Sequence, residues 1–330
     1  MKGRAMKDSL KKGLIIGAAG SAICVLWHHL LTKKMMQLAM DRVAPQDRSN
    51  GKMRVSGSPE MIETTEIVKK AAGQLEKSGC DVVEITAHDG ISLIGHWCPC
   101  EEPKRTIVAM HGWRSSWSHD FGLIADFWRN NHCSVLYAEQ RGQNNSGGHM
   151  SLGLLERYDC LAWTNWINEK TGKSIPIYLA GVSMGATSVL MASELELPDN
   201  VFGIAADSAF TSLHAIWKHV SESNLHIPYA LHKTGADRMC KKRIQMDADA
   251  ASTTEALKHC QIPVLFVHGT DDHFVPVEMT YENYKACTSE KRLLIVPGAD
   301  HCMSYLVGKS TYERIAKEFW EFCEQRKKNP

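Results

Sequence analysis

The chain has 330 residues, enough for one large domain or two modest ones and for a sizeable buried core. Its 38 Lys+Arg against 37 Asp+Glu leave a formal charge of +1, which excludes the strongly basic field of a nucleic-acid-binding protein. The 11 cysteines are odd in number and scattered from Cys24 to Cys323, unlike the dense, even pattern of a disulfide scaffold, so most are expected as buried thiols. Cys98 and Cys100 form a lone C-P-C with no matching second pair, and no metal or organic cofactor is expected.

In chain order, Lys2, Arg4, Lys7, Lys11 and Lys12 precede an apolar run, Leu14 to Leu31. The run approaches the roughly 18–20 residues that cross a bilayer. Trp27 suits a headgroup boundary, His28 and His29 lie near the far end, and no small-residue cleavage pattern follows. Residues 1–34 are therefore expected to form an uncleaved transmembrane helix that anchors the protein in the cell membrane. The leading basic residues favour an extracytoplasmic body; Lys33, Lys34 and Arg42 just behind the run, and the many thiols, weigh against it.

Residues 35–80 read as a polar linker followed by a docking helix, with Ile62, Ile67, Val68, Ala71 and Leu75 at helical spacing before Gly79. Two alternating runs, Asp81–Ala87 and Ile91–Cys98, then predict an antiparallel hairpin. From Arg105 onward short apolar runs alternate with helical stretches: strands at Arg105–Met110, Cys133–Glu139, Ile175–Val182, Val201–Asp207, Ile262–His268 and Arg292–Val296. That order predicts an α/β domain, residues 81–330, on a mostly parallel, doubly wound sheet. A short helical insert, residues 212–257, interrupts it as a cap.

Ligands bind such sheets beyond the carboxyl ends of the strands. There "GVSMG" places Ser183 between Gly181 and Gly185, at a strand-to-helix turn too tight for side chains at the flanking positions. A serine hydroxyl needs a base held by a carboxylate. His301, on the loop after the last strand, is the candidate base. "HGTDDHFVP" offers Asp271 and Asp272, of which Asp272 has the spacing to reach His301 and Asp271 reads as a turn residue. Asp207 reads as a helix-capping or loop-bracing group, and His111 as a brace of its own loop. The backbone N–H groups of Met184, at a helix start, and Trp113, in "HGW", are the candidate oxyanion donors.

The motifs "HGW", "RGQNNSGG", "GVSMG", "DSAFTS", "PVLFVHGTDDHFVP" and "GADH", spread over about Asp81 to Gln325, together resemble the α/β-hydrolase superfamily, in particular its serine-aminopeptidase-like bacterial branch. The resemblance implies a Ser183, Asp272, His301 triad and a site braced by Arg141, Glu156 and Asp159. It leaves the substrate open. Trp113 is bulkier than the residue many relatives carry, and Trp113 and Trp217 are candidate substrate contacts. The expected activity is hydrolysis of small-molecule or lipid acyl esters through an acyl-enzyme. The alternatives are a peptidase, thioesterase or acyltransferase with the same triad, or a noncatalytic binding module.

Overall fold

The computed structural model describes residues 26–42 and 59–328. A first helix, α1, covers residues 26–40, and α2 spans Pro59–Glu76. Strands β1 (Asp81–Thr86), β2 (Ser92–Cys98), β3 (Arg105–Met110) and β4 (Cys133–Ala138) follow, with α3 (Trp117–Asn130) between the last two. Next come α4 (Glu156–Lys170), β5 (Ile177–Val182), α5 (Met184–Ala192) and β6 (Val201–Asp207). The insert contributes α6 (Leu213–His219), a π-helical turn (Val220–Asn224), a 3-10 turn (Tyr229–Leu231), α7 (Lys233–Ile244) and α8 (Thr253–His259). Then β7 (Val264–Gly269), α9 (Val277–Ala286), β8 (Lys291–Val296), α10 (Ser304–Val307) and α11 (Lys309–Lys328) close the chain.

The eight strands form one sheet in the order β1-β2-β4-β3-β5-β6-β7-β8. Only β2 runs against its two neighbours; every pairing from β4 through β8 is parallel. The central strands are apolar at consecutive positions because both faces are covered. On one face Val108, Met110, Leu179 and Phe266 pack with Trp163 of α4 and Leu190 of α5. On the other, Ile107, Ala109 and Tyr178 pack with Phe121 of α3 and Phe319 of α11. Helix α8, at the end of the insert, contributes Leu257 to the first of these clusters.

Serine caps set the helix starts at three junctions. Ser116, Ser212 and Ser252 sit in extended backbone and accept from the N–H three residues on, opening α3, α6 and α8. Cys80 and Cys98 form a disulfide across the β1/β2 hairpin, with a Cα separation of 4.4 Å. Six of the other described cysteines are buried thiols, as expected of most; this pair, 18 residues apart in sequence, becomes adjacent only once the hairpin forms.

The expected transmembrane helix finds no support: no helix of the described residues is long and apolar enough to cross a membrane. Most of the Leu14–Leu31 run lies outside the described residues, and its last six positions begin α1. This helix runs through the expected boundary at residue 34. Its Thr32, Met36 and Met40, at i, i+4 spacing, are buried, and the two methionines share a cluster with Leu154, Met184, Phe210 and Ile216. Carbonyls in its last turns, which have no intrahelical partner, are taken by distant groups: Leu38 O by Arg114 Nε (2.8 Å), Ala39 O by Trp113 Nε1 (2.9 Å) and Met40 O by Met150 N (3.1 Å). An apolar run reads alike whether lipid or protein will cover it.

Met40 is fully buried, so Met40→Ala is expected to cost about 2–5 kcal/mol of stability. Urea unfolding measures this; an unchanged midpoint would show that α1 is not part of the cooperative core.

Candidate functional site

Ser183 stands at the carboxyl end of β5 with φ of 54° and ψ of −118°, a conformation unfavourable for a side-chain-bearing residue. Packing holds it there. A Cβ on Gly185 would run into the carbonyl of Met110 at the end of β3, and one on Gly181 would run into the carbonyl of Gly185. Ser183 N donates to Asp207 O at 2.8 Å, tying the turn to the end of β6.

His301 Nε2 lies 2.9 Å from Ser183 Oγ, and its Nδ1 lies 2.7 Å from Asp272 Oδ2. The carboxylate can only accept, so Nδ1 carries the proton and Nε2 is left to accept from the serine. The structure therefore brings together the three residues singled out in the sequence. Asp271 stays apart: it is exposed and accepts from Thr270 Oγ1 at 2.7 Å.

Asp272 is buried and fully engaged. Its Oδ1 accepts from the N–H groups of Phe274 (3.0 Å) and Val275 (2.8 Å). Its Oδ2 also accepts from His268 Nε2 at 3.0 Å. Burial raises its pKa, but the hydrogen bonds from His268 and His301 and the His301 charge outweigh this and hold it well below the usual carboxylate range. His268 is the residue that sequence reasoning missed. It sits in β7 with Nε2 shared between Asp272 and Val275 O (2.9 Å) and Nδ1 bonded to Thr280 Oγ1 (2.7 Å). Burial lowers its pKa and Asp272 raises it, with a net rise. The first letter of "HGTDD" was the available signal, read only as a strand end.

Asp207 is a brace rather than a helix cap: Oδ1 accepts from Ser304 Oγ (3.0 Å), on the segment just after His301, and from Ser208 Oγ (3.1 Å). Burial raises its pKa. Arg141, buried, makes two 2.6 Å bonds to Asp159 and one of 2.7 Å to Asp89. Glu156 accepts from Ser151 N (2.7 Å) and Gly153 N (2.9 Å). These three residues lock the loops behind the site. His111 does so too, bonding Gly112 O at 2.8 Å and Gln140 N at 3.2 Å.

Met184 opens α5, so its N–H belongs to the first turn, whose donors lack intrahelical partners. Trp113 follows Gly112, whose N–H is held by Asp120 Oδ2 at 2.7 Å. The Trp113 indole stacks on Phe274 at 17° between ring planes and reaches α1 through Ala39 O. A cavity of about 120 Å³ opens beside Ser183, walled by Trp113, Leu152, Phe210, Trp217, Phe274 and, from α1, Met35 and Ala39. Both tryptophans marked as substrate contacts therefore line it. Its polar groups are few. Thr32 Oγ1 donates to His28 O (2.8 Å), so His232 Nδ1 must donate to Thr32 Oγ1 (2.7 Å). Burial, reinforced by the neighbouring His28, lowers the His232 pKa.

Among the described residues no group of three or more metal-ligating side chains comes together. Residues 120–329 match the prolyl oligopeptidase family, and the chain belongs to it, within the α/β-hydrolase superfamily. The uncharacterised protein YqkD of Bacillus subtilis is 25% identical over 246 residues, covering 74% of this chain and 80% of that one. The fold is similar to that of the Pyrococcus furiosus esterase Pf2001, with a TM-score of 0.59, 21% identity and coverage of 74% of this chain and 91% of that one. It is also similar to Pyrococcus horikoshii acylaminoacyl peptidase, with a TM-score of 0.57 and 17% identity, covering 76% of this chain but 43% of the larger enzyme.

Because folding lowers the Asp272 pKa, its ionised form stabilises the fold at pH values above the unfolded carboxylate value of about 3.9, and this contribution is lost as pH falls below it. Asp272→Asn removes the titration. Its unfolding free energy is expected to fall less steeply than the wild type's on acidification below about pH 5; parallel slopes in urea titrations would contradict the assignment.

Proposed function

We propose that the protein is a serine hydrolase of carboxylic esters with an apolar acyl group. The observation that carries the reading is the hydrogen-bonded series Ser183, His301, Asp272 opening onto an apolar cavity. In this reading Ser183 Oγ attacks the ester carbonyl carbon while His301 Nε2 takes its proton. Asp272 holds the ring and offsets the imidazolium charge, and His268 keeps Asp272 ionised and fixed. The oxyanion of the tetrahedral intermediate lies against the N–H groups of Met184 and Trp113, each donor contributing about 3 kcal/mol to the transition state. Collapse breaks the bond to the alcohol oxygen, which leaves with the proton from His301. Water, deprotonated by the same ring, then releases the acid and restores Ser183.

An ester fits the cavity better than a charged peptide terminus does. Its walls are apolar, and desolvating an unpaired charge there would cost several kcal/mol, on the order expected for a buried ion. The cavity approaches the roughly 150 Å³ of an engineered space that holds benzene, so it takes a short or medium acyl group or the first carbons of a longer one. The likeness to a peptidase supports a second reading, amide hydrolysis by the same residues. A panel of acyl esters, thioesters and aminoacyl amides separates the two.

Ser183→Ala and His301→Ala are each expected to lower ester turnover at least about a thousandfold and to abolish labelling by a fluorophosphonate, with the circular dichroism spectrum unchanged. Turnover retained in Ser183→Ala would remove the nucleophile assignment. Ala236 is buried and lines the cavity. Ala236→Phe should reduce kcat/KM for medium-chain esters about tenfold while leaving acetyl esters near the wild-type value; equal losses on both would place the acyl group elsewhere.

A further inference from the structure

The outward side of α1 differs from its buried stripe. Leu26, Trp27 and Leu30 are 58, 61 and 54% exposed, and Leu231, next to the His232 that packs on α1, is 59% exposed. Leu38 and Leu225 line the cavity beside Ser183 and are themselves half exposed, which puts them at its rim. Two large apolar side chains at the rim of an apolar cavity, with three more exposed along the same helix as one of them, are not the scattered exposure of an ordinary surface.

A second feature runs along the same helix. The i, i+4 series His29, Lys33 and Gln37 faces Arg238 and Lys242 of α7 across a cleft of about 670 Å³, which also includes His149. Lys33, Arg238 and Lys242 are exposed and make no ion pair among the described residues, whereas Arg243 on the same cleft is neutralised by Asp41 at 2.6 Å. The helices touch closely: a Cβ on Gly235 would lie 3.2 Å from Thr32 Cγ2. The seam between α1 and the cap therefore presents unpaired positive charge beside exposed Leu and Trp. In the sequence, Lys2, Arg4, Lys7, Lys11 and Lys12 and then the apolar residues from Leu14 precede α1.

We propose that this seam is a docking face for an anionic lipid surface, on which α1 lies with Leu26, Trp27 and Leu30 in the headgroup region and Lys33, Arg238 and Lys242 against lipid phosphates. Charge complementarity argues against a neutral or basic partner, and the exposed Leu26, Trp27 and Leu30, in sequence continuity with the basic, apolar segment before residue 26, select a lipid surface over an acidic protein face. On the esterase reading, docking brings the rim residues Leu38 and Leu225 to the lipid, so an acyl group passes to Ser183 without crossing water.

The test uses the full chain and vesicles of phosphatidylcholine, alone or mixed with phosphatidylglycerol. Partition is read by flotation, and hydrolysis is followed for dioctanoylglycerol in the vesicles and for p-nitrophenyl butyrate in solution. The Lys33→Glu, Arg238→Glu, Lys242→Glu variant should lose at least about tenfold in partition onto the mixed vesicles, given about fivefold per basic residue, and little on phosphatidylcholine. Trp27→Glu with Leu30→Glu should lose partition on both. Both variants should hydrolyse the soluble ester within about twofold of wild type, which also reports their folding, while dioctanoylglycerol hydrolysis falls with partition. Unchanged partition in both variants overturns the proposal. So does a concentration-dependent dimer abolished by the Trp27/Leu30 variant with vesicle binding intact, which would assign the face to a second copy. A wild type inactive on both esters counts against the esterase reading alone, since partition still decides the docking face.

Discussion

The contact between Gly185 and the carbonyl of Met110 fixes more of this molecule than any other. It sets the start of α5 directly against the end of β3, closer than any side chain allows. Two consequences follow from one close approach. Ser183 is held at positive φ, with its hydroxyl projecting from the turn, and the loop after β3 must leave the sheet beside that hydroxyl. The loop bearing Trp113 is thereby kept next to Ser183 before any hydrogen bond is counted. The strain at Ser183, of order 1–3 kcal/mol, is offset by the buried packing of α5, every residue of which is inaccessible to solvent.

The buried charge that bears most directly on His301 is that of Asp272. Among the described residues Asp272 pairs with no arginine or lysine; its partners are two histidines and two backbone N–H groups. These hydrogen bonds keep the carboxylate ionised and aimed at His301 Nδ1. An arginine at the position of His268 would already have neutralised it. The Arg141, Asp159 and Asp89 network shows the other use of charge, in which the ions are spent on one another and serve only to hold loops.

Much of this was legible in the sequence because the motifs combine backbone punctuation with reactive side chains. Gly181 and Gly185 are required by sterics, and the strand before Ser183 and the helix after it carry their own periodicities, so the turn could be placed from local pattern alone. Asp272 and His301 followed from chain order. What local pattern could not supply was contact between distant segments. His268 looked like any strand end, because its role exists only once Asp272 folds back over it within the β7–α9 loop. Cys80 and Cys98 are neighbours only across the finished hairpin. The apolar run ending at Leu31 has a lipid-like composition, yet its continuation as α1 buries Met36 and Met40 against the cap cluster.

That helix also accounts for the bulk of Trp113. A smaller residue after "HG" would leave the loop free on its outer side. The indole instead spans from the loop to the carbonyl of Ala39, while Arg114 takes the carbonyl of Leu38 and Met150 N takes that of Met40. Three donors from two catalytic-side loops thus terminate α1, and the helix in turn walls the cavity with Met35 and Ala39. The energetic logic is reciprocal: helix-end carbonyls need donors, and the loop after β3 is held in place by the side chains that supply them. A segment that precedes the hydrolase domain in sequence therefore walls the domain's cavity, and whatever fixes the position of α1 also fixes one side of the cavity beside Ser183 and the outer edge of the loop bearing Trp113.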